Sequence, residues 1–422
     1  MPTAGPTVRN VGRLRVYVEP AGSANFAIDH TGTLGDFTDI PMVEQSFGQL
    51  TLTQEVLDPG SLVQNQLDYR LEILGKKSWS LTFDIPIAAT GTAAGDGVTA
   101  VEGPVGLLLK TLWGGVDLGT GTTVNGTWAS ASVGNVTSSG GLAEGGAILI
   151  ADSNGELHAR EIETITGAAV TVKDAFPFQP TDGSTVYAAA TYYPVQDPDT
   201  SLQFIVEGLE GNDRWVLLGG QGTVTLSTPT DGQIQTMTVT VSGPRWLEGD
   251  DAAGSGSLEG SDLGSATYAN HAPISSETGR MRAHTVGDAL SGVEIPISAV
   301  SFEPQLAYTP VPSPSGVEGV LRHRLTRQNG PALMGSFTKY LEDRTWFGHR
   351  DARTALSMAY QNGADTGGVV FITAPTVQVT DVQTVDAGGI QSEQVSFKSR
   401  LDAETTSSGD LADAPFRLHI AC

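Results

Sequence analysis

Two stretches decide how this chain is read: GQIQTMTVTVSG (Gly232–Gly243) and GGIQSEQVSFKS (Gly388–Ser399), 156 positions apart. Each opens on a glycine with an Ile-Gln pair behind it, then alternates residue by residue. In the first, Met237, Val239 and Val241 share one face and Thr236, Thr238, Thr240 and Ser242 the other. In the second, Glu393, Val395 and Phe397 fall in step with the first set, and Ser392, Gln394, Ser396 and Lys398 with the second. Alternation of this kind is the mark of a β-strand with two different faces. A strand repeated with its parity kept predicts two related β-domains in one chain.

The pattern extends outward. Each half carries a long strand pair with an extended connection (45–87 and 297–341), a helix (103–113 and 351–361), then a meander that ends in the quoted strand. In SWSLTFDI, Trp79, Leu81, Phe83 and Ile85 lie on one face of a strand. Leu107 to Trp113, preceded by Pro104 and followed by two glycines, reads as a short buried helix. DARTALSMAYQNG (351–363) reads as a helix with an Asp351 cap and a glycine stop. Between strands, LDPGSLVQNQ (57–66) has turn chemistry at its centre and the length of a projecting loop.

The expected fold is mainly β: two tandem β-sandwich domains, each with a short flanking helix, plus an inserted small β-barrel. The first domain takes residues 1–115 and 195–248. The barrel takes 116–194, where turns fall at Ser153-Asn154-Gly155, Thr166-Gly167 and Asp182-Gly183. The acidic Gly/Ser stretch 249–290 reads as a linker, and 291–422 forms the second domain with a C-terminal arm. Composition agrees, since 52 glycines and 22 prolines in 422 residues punctuate too often for a helical bundle.

Forty-seven acidic against 23 basic residues give a net charge of −24, which repels nucleic acid and anionic membranes. No run of about 18 apolar residues offers a membrane span, and the N-terminus lacks the apolar core of a secretion signal. Cys422 is the single cysteine, so no internal disulfide or multi-cysteine metal site is expected. GKKS (75–78) fails as a phosphate loop, because Arg70 stands where its first glycine belongs. Histidines His30, His158, His271, His284, His323, His349 and His419 are scattered. His349 with Asp351 is the nearest approach to a dyad, and a capping role for Asp351 accounts for it. RHRLTR (322–327) is the one basic cluster. No catalytic residue, metal ligand or cofactor is expected, and the chain is read as a non-enzyme.

The runs GGQGTVTLSTPTDGQIQTMTVTVSGPRW (219–246) and AGGIQSEQVSFKSRLD (387–402), with the decorated segment 146–194, resemble the tail tube (major tail) proteins of long-tailed bacteriophages. That resemblance implies tail-tube-like sandwich domains whose inner sheets join into a barrel around a lumen. A duplicated subunit then implies a ring of three chains with pseudo-sixfold symmetry, stacked into the conduit for DNA ejection. The strands carrying Thr236, Thr238, Val239, Val241, Ser392, Gln394, Val395 and Phe397 would serve self-assembly. The loop Leu57, Asp58, Pro59, Gly60, Ser61, Leu62 would touch the neighbouring ring. Partners would be other copies, the tape measure, the tail terminator and the distal tail protein, with DNA passing unbound and no membrane. The location would be the virion tail, after synthesis in the host bacterial cytoplasm. The alternative is a phage adhesin or carbohydrate-binding β-protein, which needs exposed aromatic platforms.

Overall fold

The computed structural model describes residues 7–18, 37–42, 49–57, 73–87, 103–195, 200–208, 214–227, 234–248, 279–286, 293–312, 320–326, 332–341, 344–364, 368–387, 389–400, 411 and 413–421. Strands β1 (Thr7–Val18), β2 (Thr38–Asp39), β3 (Gln49–Leu57) and β4 (Ile73–Pro86) lead to helix α1 (Pro104–Trp113). Eight strands follow: β5 (Gly114–Leu118), β6 (Thr122–Thr123), β7 (Val133–Asn135), β8 (Ala147–Ala151), β9 (Leu157–Thr166), β10 (Ala169–Val172), β11 (Thr185–Ala188) and β12 (Ala190–Pro194). The chain continues through β13 (Leu202–Gly208), β14 (Arg214–Ser227), β15 (Thr236–Gly243) and β16 (Arg245–Glu248). Then come β17 (Arg280–Thr285), β18 (Val293–Ile295), β19 (Ile297–Pro304), β20 (Ala307–Pro312), β21 (Val320–Thr326) and β22 (Leu333–Tyr340). Helix α2 (Thr345–Ala352) precedes β23 (Ala355–Asn362), β24 (Val369–Ala387), β25 (Ile390–Ser399) and β26 (Arg417–Ala421). The fold is mainly β.

One pairing scheme occurs twice. In the first half β3, β4, β15 and β14 lie side by side, all antiparallel. In the second, β19, β22, β25 and β24 lie in the same order. The N-terminal part of β14 swings out between β13 and β16, and β13 pairs β1. The N-terminal part of β24 likewise lies between β23 and β26, and β23 pairs β17. Even the short hairpins agree, β1 with β2 and β17 with β18. Register carries the equivalence to single residues. Phe83 faces Val239 as Phe337 faces Val395, and Arg15 faces Ile205 as Arg282 faces Ala359.

Alternation builds the core. Trp79, Leu81, Phe83 and Ile85 are all buried, as their period predicts. Trp79 donates its indole N–H to the Leu218 carbonyl at 3.1 Å, so its one polar atom is satisfied. Side chains of this size contribute roughly 1.5–3 kcal/mol each when removed from water. Helix α1 starts on Pro104 and stops at Gly114, whose φ of 87° lies in the left-handed region where glycine is unstrained. It buries Leu108, Leu109, Leu112 and Trp113 against the sheet, Trp113 meeting Phe416 edge-on at 5.2 Å.

The inserted strands form a separate sheet in the order β6-β11-β8-β9-β10-β7. Its two outer strands are stitched together by the bridge Val124↔Val136, with Asn125 N–H to Asn135 O and Thr137 N–H to Thr123 O on either side. The six strands thereby curl round their own core, which includes Trp128, Ile148, Ile150, Ile162 and Val170. Gly155 and Gly167, at turns anticipated from sequence, have φ of 86° and 61°.

Several expectations need correction. Residues 351–363 are not a helix: α2 lies earlier and Ala355–Asn362 is strand β23. Almost every residue of β23 is buried, because both faces are covered. A strand buried on both sides loses its alternation and imitates a short apolar helix. Asp351 sits in the last turn of α2, paired to Arg350 at 2.8 Å, while the N-cap position is Arg344. Arg280–Thr285, assigned to the linker 249–290 on composition, is a strand between β18 and β23. The chain end is no arm, for β26 is inlaid between β12 and β24. Inside the segment 116–194, β5 and β12 pair with each other and extend the main sheet through β26, apart from the barrel.

Candidate self-association surface

The two halves meet at Leu226 on β14 and Phe302 on β19, both buried, whose pairing makes one antiparallel sheet of β3-β4-β15-β14-β19-β22-β25-β24. One face of this sheet packs on the core. The other is a carpet of small hydroxyls and amides, because each strand alternates. Thr238 donates to Asp84 at 2.5 Å, Thr82 to Thr240 at 3.3 Å, and the hydroxyls of Ser301 and Ser336 lie 3.0 Å apart. Thr236, Thr238 and Gln394 belong to this face, whereas Val239, Val241, Val395 and Phe397 are buried beneath it. Ser392 is buried too, its hydroxyl on the Ile390 carbonyl at 3.3 Å.

Neither strand named from sequence has a free backbone edge. β15 is flanked by β4 and β14, and β25 by β22 and β24. Alternation locates a strand's faces but says nothing about its position within the sheet. The edges lie elsewhere. Among the described residues, no strand pairs the outer side of β24 beyond Gln378. Thr384 there is the register equivalent of Leu226, facing Glu393 as Leu226 faces Met237, and it is exposed where Leu226 is covered. The opposite edge, β3, is occupied by the start of β1, with Arg9 opposite Leu50. Asp58 to Leu62 of the anticipated contact loop lie outside the described residues, and Leu57 ends β3.

The Ile-Gln pair that opens each repeat has a definite place. Gln235 accepts the Ile87 N–H at 2.9 Å through its carbonyl, and Gln391 accepts the Leu341 N–H at 3.1 Å in the same way. Their side chains differ. Gln235 is buried and accepts from Asn362 Nδ2 of the second half at 3.0 Å, whereas Gln391 is exposed. Among the described residues, the junction between the halves therefore has an unfilled counterpart in the second half.

A second repeat escaped the sequence reading. Gly12-Arg13-Leu14-Arg15 returns as Gly279-Arg280-Met281-Arg282, and Asp39-Ile40-Pro41 as Glu294-Ile295-Pro296. Asp39 faces Arg15 as Glu294 faces Arg282. Asp39 binds both arginines of its half, at 3.0 Å to Arg13 and 3.3 Å to Arg15. A search for charged pairs spaced alike in the two halves finds this signal.

In the second half these arginines have been turned to another use, holding the insert. Arg280 contacts Glu156 and, at 3.4 Å, His158 Nδ1. Arg282 donates to the Ala159 carbonyl at 3.4 Å and to Gln361 Oε1 at 3.2 Å, and burial lowers its pKa to about 10. Gln361 in turn accepts from Ala159 N–H at 2.9 Å and donates to Leu157 O at 2.7 Å. His284 lies 2.8 Å from Asp174, and Arg417 2.5 Å from Glu161. Apolar residues pack between these ties, Ala159 and Leu157 of the insert with Ala359 and Phe371 of the second half.

Asp152, Glu156 and His158 bring three potential metal ligands within 4.8 Å. Arg280 can only donate, so His158 Nδ1 accepts from it and Nε2 carries the proton, 3.7 Å from Asp152. Nδ1 is thus turned to Arg280, which already supplies a cation beside Glu156, while Nε2 makes no hydrogen bond among the described residues. Burial and Arg280 lower the His158 pKa, which keeps the ring neutral. His349, the other candidate, packs on Trp346 at 5.5 Å.

Trp79, Trp113, Trp128, Trp215, Trp246 and Trp346 are all buried, which leaves no tryptophan to form an exposed platform. No helix among the described residues is long and apolar enough to cross a membrane. No protein-family model matches the chain, and no curated protein is recognisably similar to it.

Proposed function

We propose that the chain is a structural subunit that joins edge to edge with its own copies into rings and stacks into a tube, as the resemblance to tail tube proteins implies. The observation that carries this reading is the internal junction. Two equivalent halves are fused through Leu226 and Phe302, while the equivalent edge at Thr384 and Gln391 has no strand paired to it among the described residues. A junction that uses different surfaces on its two sides repeats until it closes or extends indefinitely. The edge at Thr384 gains its missing hydrogen bonds by such pairing, and the β3 edge of the neighbour takes part once the start of β1 gives it up. Three duplicated subunits give a pseudo-sixfold ring, with the hydroxyl and amide face toward the lumen. That face carries few cations to retain phosphates, which suits DNA sliding past. In this reading the protein belongs to the virion tail, with the tape measure, terminator and distal tail proteins as neighbours and no catalytic role.

The test is negative-stain microscopy with sedimentation of concentrated protein. Rings or tubes are expected, and a particle that remains a protomer at every concentration refutes the reading.

A further inference from the structure

The sheet has two ends, and they differ. At one end β15 and β25 begin; at the other, the strand pairs outgrow their neighbours. β15 stops at Gly243, opposite Trp79, yet β3 and β4 stay paired as far as Leu57 with Ile73. In the second half β20 and β21 form a ribbon beyond β19 and β22, paired, among the described residues, to each other alone. Each half thus projects a two-stranded ribbon from the same end. Such ribbons are marginal when they stand alone in water.

The other end holds exposed isoleucines. Ile234 is 50% exposed and Ile390 52%. Among the described residues few large apolar side chains face water, and these two occupy equivalent positions, one residue before Gln235 and Gln391. Tyr340, 41% exposed, is at this end too, opposite Ser392. An isolated exposed isoleucine means little. The same one presented by both halves calls for a partner that offers two matching contacts, and a second copy of this chain has them in its two ribbons.

We infer that Ile234 and Ile390 form the seat on which the ribbons of another copy land, joining subunits end to end. The ribbon end and the isoleucine end are different surfaces, so the contact is head-to-tail and propagates along an axis. This inference rests on the stacked-ring reading and adds the residues that govern stacking as opposed to ring closure, which uses the strand edges.

The experiment compares wild type, Ile234→Asp/Ile390→Asp and Ile234→Leu/Ile390→Leu by negative-stain microscopy and by pelleting across a concentration series. Both sites are exposed, so the thermal midpoint serves as a check that the variants stay folded. Single rings without tubes are expected for the aspartate variant. Its critical concentration for pelleting should rise by about tenfold or more, since two apolar contacts are lost. The leucine variant should form tubes like wild type. Tubes from the aspartate variant at the wild-type concentration would overturn the inference and leave the ring reading intact. Loss of rings as well as tubes in that variant would overturn it too, by assigning the isoleucines to ring closure. Wild type that forms neither removes the underlying reading, and the inference falls with it.

Discussion

Lys339 and Glu393 face each other across β22 and β25, both buried, 4.0 Å apart, at the position where the first half sets Ile85 against Met237. One core site is thus solved with an ion pair in one half and with hydrocarbon in the other. Taking both charges out of water costs much of what their attraction returns. Lys339→Met alone should destabilise by about 3–5 kcal/mol, because it removes the cation facing a buried carboxylate. Lys339→Ile with Glu393→Met, copying the first half, should be neutral or stabilising by about 1–4 kcal/mol. Urea unfolding of the three proteins decides it, and an equally damaged double variant would contradict the argument.

His419 predicts how stability follows pH. It is buried between Thr191 Oγ1 at 2.9 Å and Thr373 Oγ1 at 3.0 Å, and burial, with Arg417 nearby, holds its pKa well below 6.5. The folded ring stays neutral where the unfolded one takes up a proton. Its contribution is therefore complete above about pH 6.5 and declines as the pH falls below that value. The lowered pKa of His158 acts in the same direction. Thermal midpoints between pH 8 and 5 should drop on the acid side, and His419→Gln should flatten that slope. An unchanged slope would show that the ring titrates normally.

The start of β1 covers the β3 edge, Thr7 to Asn10 lying opposite Leu52 to Gln49. Deleting residues 1–10 should bare that edge and promote association at lower concentration, the usual behaviour of an uncovered strand. Light scattering against concentration measures this. Identical curves for the full-length and shortened chains would mean the edge plays no part.

Gln361 ties the insert to the second half through two bonds, to Ala159 N–H and Leu157 O, and also accepts from Arg282. Gln361→Leu should cost roughly 1–3 kcal/mol by stranding buried backbone groups. Hydrogen exchange at Ala159 should accelerate more than exchange at Val170 inside the barrel. Equal acceleration at both would instead mean that the barrel itself is loosened.

The strands were legible because most bury one face. Trp79 to Ile85 and Thr236 to Ser242 alternate, and the glycines at 155, 167 and 183 mark their turns. What was missed follows from context supplied by distant chain. β23 lost its alternation because the insert covers its second face. Arg280–Thr285 was absorbed into a Gly/Ser-rich neighbourhood, although Arg280 and Arg282 repeat Arg13 and Arg15. The candidate site was legible in part. Parity separated Thr238 from Val239, but which strand forms the open edge depends on the order of strands, a long-range property that local pattern does not encode.

The insert leaves the chain within the first half yet is fastened to the second by Arg280, Arg282, His284 and Arg417. It gives the two halves a second connection besides the seam at Leu226 and Phe302. In the proposed ring assembly, such a connection would set the curvature within each molecule before it encounters another. If that assembly forms, cutting the connection should yield polymers of uneven bend from protomers that remain fully folded.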